Sequence, residues 1–297
     1  MEIYKNLLVP LDGSKLGEIS FPFAKELAAK LNLPITFLYV APSGERQFGQ
    51  MHRAYVEWTA DTITRQSEKE GRPIVARGEV VVSESASEGI LDYARKNKTD
   101  LIFMVTRRCL EPGSVSDSIL RTSQIPVFLV RADSTSRVSA GKRSNLTIIV
   151  PLDGSVLAES ILPHVEAIAK SRSSGTIDVI LVRVCEAPAV SSDYPEGMAV
   201  SWDEHVEQEV AKCQIGSKQY LSGIERRLSQ SGIKVKQQTL VGRVADEIVD
   251  FAAKTPASLI AMSTHGRSGV GRWVYGSVAE KVLTGASSPI FLVRPKE

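Results

Sequence analysis

The sequence predicts an α/β fold made of two tandem, five-stranded parallel-sheet domains, Rossmann-like in winding. Three observations carry that prediction. The chain repeats itself: Val9-Pro10-Leu11-Asp12-Gly13-Ser14 returns unchanged as Val150-Pro151-Leu152-Asp153-Gly154-Ser155, and Pro126-Val127-Phe128-Leu129-Val130-Arg131 returns as Pro289-Ile290-Phe291-Leu292-Val293-Arg294. Within each copy, short apolar runs rich in Val and Ile alternate with amphipathic stretches, which is the signature of parallel strands buried beneath helices. The length of 297 residues suits two ordinary domains, and the internal repeat makes that count firm.

The elements of the second copy follow in order. Leu146 to Leu152 is an apolar strand, and the helix after it carries Leu157, Ile161, Leu162, Val165 and Ile168 at three- and four-residue spacing. Ile177 to Val184 is the second strand, followed by a long helix around Asp203 to Gln230. Val235 to Val241 is the third strand, Ala245 to Lys254 a helix, and Leu259 to Ser263 the fourth strand. A helix opens near Ser277, and Ile290 to Arg294 is the last strand. The order is βαβαβαβαβ.

The first copy aligns with the second at shifts that grow along the chain. Asp12 meets Asp153 and Pro22 meets Pro163 at 141; the Ile90 to Ala94 segment meets Ile248 to Ala252 at 158; Gly113-Ser114-Val115 meets Gly276-Ser277-Val278 at 163. The second copy is therefore longer by 17 residues midway and by five in a glycine-rich stretch, and both differences fall where a pocket would be lined. Residues 134–145 are polar, small and aperiodic, a linker composition. The expected domains are 1–133 and 146–297.

Ligands in open parallel sheets sit beyond the carboxyl ends of the strands, where strand order reverses. If the first and fourth strands are neighbours, Asp153 meets the stretch His265-Gly266-Arg267-Ser268-Gly269-Val270-Gly271-Arg272-Trp273-Val274-Tyr275-Gly276-Ser277 in one crevice. Its glycines allow close approach of backbone N–H groups to a polyphosphate, a helix opening at Gly276-Ser277 favours an anion, and Arg267 and Arg272 add charge. Each residue also has a purely structural reading. Ser277-Val278-Ala279-Glu280 is a capping box. Asp153 suits an N-cap or Asx turn, His265 a packed loop, and Trp273 and Tyr275 a helix-packing or interface role. In the first copy the glycine-rich stretch is eroded to Arg107-Arg108-Cys109-Leu110-Glu111-Pro112-Gly113-Ser114.

Both halves resemble the universal stress protein (UspA) family, and the whole chain looks like a tandem member. Two motifs carry the resemblance: the strand-end Asp of Val-Pro-Leu-Asp-Gly-Ser, and the family's ATP-binding pattern, present as Ser263-Thr264-His265-Gly266, nine residues, then Gly276-Ser277, with Ser263 replacing the first glycine. The resemblance implies an adenine-nucleotide α-hydrolase-like fold and a site for ATP, with or without Mg. Asp153 would recognise the nucleoside, with Pro151 and Leu152 beside it among the binding residues, and the Val184 backbone would read adenine. Met262, Ser263, His265 and Gly266, together with Gly269, Gly276, Ser277 and Val278, would hold ribose and phosphates. The first half, with Val105 and Arg108 at the two early glycine positions, is expected to be a degenerate, nucleotide-free partner. The family's pairing through last strands implies an intramolecular pseudo-dimer built on Val127 to Arg131 and Ile290 to Arg294, and leaves a homodimer open.

Composition sets the remaining expectations. A net charge of +2, from 36 basic and 34 acidic side chains, supplies no broad field for nucleic acid or an anionic membrane. No apolar run approaches the roughly 20 residues of a membrane span, and a cytoplasmic location is expected. Cys109, Cys185 and Cys213 lack the close pairing of zinc or redox motifs and read as reduced packing residues. The leading functional expectation is an ATP-binding stress or signalling regulator loaded in its second half. The alternatives are a slow ATPase or nucleotidyl-transfer enzyme and a nucleotide-free scaffold. There is no Walker sequence and no cluster of metal-binding carboxylates, which disfavours efficient phosphoryl transfer.

Overall fold

The computed structural model describes residues 3–106, 111, 113–132, 146–171, 177–188, 201–256, 258–266 and 275–295. The stretch 134–145 read as a linker lies outside them, as do Arg107, Arg108, Cys109, Arg267, Gly269, Arg272 and Trp273. The first half runs β1 (Leu7–Leu11), α1 (Lys15–Glu18), α2 (Ser20–Leu31), β2 (Ile35–Ala41), α3 (Gly49–Lys69), β3 (Ala76–Val82), α4 (Ala86–Lys96), β4 (Leu101–Thr106), α5 (Val115–Thr122) and β5 (Val127–Arg131). The second runs β6 (Leu146–Pro151), α6 (Val156–Glu159), α7 (Leu162–Ala169), β7 (Ile177–Cys185), α8 (Trp202–Gln230), β8 (Lys234–Val241), α9 (Val244–Lys254), β9 (Ser258–Ser263), α10 (Ser277–Gly285) and β10 (Ile290–Val293).

The expectation of two separate parallel sheets is corrected. Among the described residues the strands form one ten-stranded sheet in the order β3-β2-β1-β4-β5-β10-β9-β6-β7-β8. Pairing is parallel within each half, and β5 meets β10 antiparallel with Phe128 opposite Phe291. The physical reason is the open edge: a terminal strand presents unpaired N–H and C=O groups, and joining the two last strands satisfies both rows at once.

Period-two alternation of side chains divides the core between the two faces. Leu7, Val9, Phe37 and Phe103 with Ile148, Val150, Leu181 and Phe291 pack beneath α2, α3, α7 and α8. Leu8, Leu38 and Ile102 with Ile149, Val182 and Ile260 pack beneath α4, α5, α9 and α10. At the junction the Phe291 ring lies 6.0 Å from Phe128, 6.5 Å from Tyr4 and 6.1 Å from His164, and the Tyr4 hydroxyl is hydrogen-bonded to His164 Nδ1 at 2.5 Å. The arginine that ends each repeated strand motif has a matching task. Arg131 Nη1 donates to the Ala286 carbonyl at 2.9 Å, and Arg294 Nη1 donates to the Arg121 carbonyl at 2.6 Å. Each thus places a cation at the carboxyl end of the other half's last helix, where the helix dipole favours one.

Strand register refines the insertion map. Val9 pairs with Phe37 while Val150 pairs with Leu181, a shift of 144; Phe37 pairs with Gly78 while Leu181 pairs with Gln237, a shift of 159. The extra length therefore lies mostly in the crossover from β7 through α8 to β8. There Cys185, the last residue of β7, forms a disulfide with Cys213 of α8, with Cα atoms 5.8 Å apart. This corrects the expectation of reduced packing cysteines: the crossover helix folds back over its own strand and brings together thiols separated by 28 residues.

Tyr4, Tyr55, Tyr220 and Tyr275 all have their pKa values raised, in each case chiefly by burial; Tyr55 is pushed up to about 12, with Glu18 and Asp12 adding to the effect. Raised phenol pKa values mean that the folded state holds protons which the unfolded chain, with tyrosine near ~10, releases earlier. Their stabilising contribution is complete below about pH 10 and falls as pH rises through the folded values. An alkaline titration is expected to show tyrosinate absorbance and loss of tertiary structure rising together above about pH 10; tyrosinate appearing in full on an intact fold would contradict it.

Candidate functional site

Strand β6 lies between β7 and β9, so chain order reverses at β6 and a crevice opens beyond its carboxyl end. Pro151 ends the strand, and the buried Leu152 donates its N–H to the Val182 carbonyl at 2.8 Å. Asp153 then turns the chain. Its Oδ1 accepts from the Ser155 N–H at 2.9 Å and from the Ser155 hydroxyl at 2.7 Å, Gly154 takes a φ of +91°, and Ser155 Oγ caps α6 by accepting from the Ala158 N–H at 3.1 Å. The first half repeats the device with Asp12, Gly13 and Ser14. The duplicated Asp-Gly-Ser is thus a turn in both halves. The second half adds a close approach: Gly266 backs onto the Asp153 carboxylate so closely that a Cβ at Gly266 would overlap it.

Strand β9 delivers Met262, Ser263, Thr264 and His265, all buried. Thr264 donates its N–H to Val293 O at 2.9 Å and accepts the Gly276 N–H at 3.0 Å, so the chain that leaves at Gly266 returns beside its point of departure. Thr264 Oγ1 is hydrogen-bonded to His265 Nδ1 at 2.9 Å, which agrees with the packed-loop reading of His265. Gly269 lies outside the described residues.

The capping-box reading of Ser277 is corrected. Gly276 is the N-cap of α10, Ser277 is its first helical residue, and no described side chain caps that terminus. The box requires serine one position earlier. In the first half Ser114 does occupy that position, and its Oγ accepts from the Asp117 N–H at 3.1 Å. The serine that is an internal cap in one half is therefore an exposed first-turn residue in the other.

Ser277 and Val278 line a cavity of about 240 Å³ together with Glu186, Arg243, Asp246 and Lys281. The amino ends of α9 and α10 both open on it, a geometry that favours an anion. Its volume is below the ~300–1,000 Å³ typical of small-molecule sites, so it is too small to enclose a whole nucleotide. Arg243 and Lys281 escaped the sequence reading because they belong to different helices, and neither sits in the glycine-rich stretch. At the aligned positions the first half has Ser85 and Ser118. Comparing the two copies position by position is the signal that finds them.

Val184 is half-buried near the end of β7, paired with Leu240. Its neighbour Arg183 reaches toward Gly154 and lies over the Tyr220 ring, 5.1 Å from the centroid. Tyr220 in turn donates to Glu159 Oε1 at 3.0 Å. Burial raises the Tyr220 pKa and the bond to Glu159 raises it further, so this phenol stays neutral. The structure brings Pro151, Leu152, Asp153, Met262, Ser263, His265 and Gly266 to one strand end, with Gly276, Ser277 and Val278 beside it on the returning chain. Among the described residues no three His, Cys, Asp or Glu side chains gather as a metal site. No described helix is long and apolar enough to cross a membrane.

Comparisons with known proteins agree with this architecture. The model of the universal stress protein family matches residues 3–131 and 145–294. A universal stress protein of Methanocaldococcus jannaschii is 31% identical over 163 residues, 54% of this chain and 90% of its own length. One from Mycolicibacterium smegmatis is 23% identical over 98% of this chain and 97% of its own. The crystal structure of a universal stress protein from Archaeoglobus fulgidus superposes with a TM-score of 0.64 at 18% identity, covering 99% of both chains.

Proposed function

The chain belongs to the universal stress protein family, and from that premise we propose that it is an ATP-binding regulator, with domains at 1–133 and 146–297 and its nucleotide held by the second. The observation that carries this reading is the difference between the two copies at one place. The second half has glycine against its strand-end aspartate, an uncapped helix terminus at Gly276-Ser277, and Arg243 and Lys281 lining the cavity. The first half has Arg108, a capping Ser114, and serines at the two cationic positions. A family shared by both halves does not account for that difference; a ligand held by one of them does.

In this reading Asp153 accepts hydrogen bonds from ribose hydroxyls, the Val184 backbone faces the base, and Gly266 with Gly276 to Val278 surrounds the phosphates. Arg243 and Lys281 offset their charge. Occupancy then favours whichever arrangement of the loop and its neighbours binds ATP more tightly, and a partner reads that shift. The β5–β10 pairing supports treating the chain as its own pseudo-dimer.

The test is to denature freshly purified protein and identify released nucleotide by mass, alongside Asp153→Ala. About one adenine nucleotide per chain, retained at least about tenfold less tightly in the variant, is expected, since each lost charge-assisted hydrogen bond is worth about 1.5–3 kcal/mol. Release as ATP supports a binding role, and release as ADP points to turnover. No nucleotide, together with no thermal shift on adding ATP, would leave the scaffold reading in its place.

A further inference from the structure

Tyr275 is the residue just before Gly276, and its side chain reaches across to the first half. It is 5% exposed, its hydroxyl donates to the backbone carbonyl of Asp117 at 3.3 Å, and the Arg121 guanidinium lies over its ring, 5.1 Å from the centroid. Both partners belong to α5 of the first half. The seat is itself held firmly. Asp117 is 4% exposed; its Oδ1 accepts from Arg121 Nε at 2.7 Å and its Oδ2 from the Gly113 N–H at 3.0 Å. The Arg121 carbonyl accepts from Arg294 at 2.6 Å. On the other side of the peptide, the Gly276 N–H is bound to Thr264 O and the Gly276 carbonyl accepts from the Glu280 N–H, each at 3.0 Å.

We infer that the first half is the positioning partner of the second half's site: α5, through Asp117 and Arg121, clamps Tyr275 and thereby fixes the first turn of α10, where the phosphates are proposed to bind. The ligand part of this inference rests on the function proposed above; the clamp does not. The tyrosine contact has no mirror image at the aligned positions. At the aligned positions the first half has Pro112 where the second has Tyr275, and the second half has Glu280 and Thr284 where the first has Asp117 and Arg121. At those positions the first half offers no aromatic side chain and the second no cation for the reverse contact. A copy with an eroded glycine stretch thus keeps a well-formed last helix because the other copy leans on it. Arg121 and Tyr275 are positioning residues, since neither reaches into the cavity lined by Ser277 and Lys281.

The test is amide hydrogen exchange on the full chain without nucleotide, followed by ATP titration, for wild type, Arg121→Met, Arg121→Lys and Tyr275→Phe. A cation over an aromatic ring is worth roughly two- to thirtyfold, depending on how far it is desolvated. Arg121→Met is therefore expected to speed exchange in residues 276–283 by roughly fivefold and to weaken ATP by a similar factor. Exchange in β1 and β9 is expected to stay unchanged. Arg121→Lys restores part of both effects, and Tyr275→Phe, which keeps the ring, is milder than Arg121→Met. Unaltered exchange at 276–283 in Arg121→Met overturns the clamp, whatever ATP does. Faster exchange there, in a protein that never binds ATP, upholds the clamp and overturns the proposed function instead. Faster exchange throughout the chain overturns the positioning role in favour of a general stabilising one.

Discussion

Phe291→Ala is expected to destabilise the whole protein by about 3–5 kcal/mol, the range for truncating a fully buried phenylalanine. Phe291 is 0% exposed and stands directly opposite Phe128 in the one antiparallel pairing that joins the halves. Tyr4, Phe128 and His164 all lie against its ring, and Phe128 in turn stacks on Phe103 at 5.4 Å. Truncation leaves a void shared by both halves, and strands cannot close it without breaking the sheet register. Urea unfolding followed by circular dichroism measures the loss, and it should also separate one transition into two as the halves uncouple. A cost below about 1 kcal/mol would mean that the junction can collapse around the void.

Gly266→Ala is expected to weaken nucleotide binding by at least about tenfold while leaving the chain folded. The added methyl group would overlap the Asp153 carboxylate. That carboxylate cannot simply retreat, because its Oδ1 also holds the N–H and hydroxyl of Ser155. Either Asp153 turns away and gives up the Asx turn, or the chain at Gly266 shifts away from the crevice. Overpacking of this kind costs about 1–3 kcal/mol, and displacement of the carboxylate proposed to accept from ribose hydroxyls should weaken ATP by at least about tenfold. Calorimetric titration of wild type against Gly266→Ala decides it; an unchanged affinity would show that Asp153 has no part in the ligand. At the aligned position the first half has Arg108, a side chain where the second half has none.

Most of the fold was legible because its signals are local. The nine elements read in the second half, from Leu146 to Arg294, all have counterparts within a few residues of the observed ones, since apolar periodicity depends on neighbours in sequence. What was not legible depended on residues meeting across distance. The two expected sheets are one, joined through the last strands that the family resemblance, not the residue pattern, pointed to. Cys185 and Cys213 carry no recognisable spacing and met because α8 folds back on β7. The site divides the same way. Asp153, Ser263 and Gly266 follow from strand ends, while Arg243 and Lys281 converge from separate helices. Ser277 failed as a cap by one residue, because the chain enters α10 at Gly276 and the capping geometry has no tolerance for that offset. Tyr275 was expected in a helix-packing or interface role, but its seat on α5 required the assembled sheet.

The antiparallel junction also determines what another molecule can touch. Strands of the two halves run in opposite directions, so the crevice at Asp153 opens on one rim of the sheet and the turn at Asp12 on the other. A five- to six-residue strand separates the rims by about 20 Å, with the full thickness of the helical layers around it. A flat partner therefore meets one crevice at a time and gains no avidity from the second. A first half without the glycine stretch consequently takes nothing from such a partner's grip.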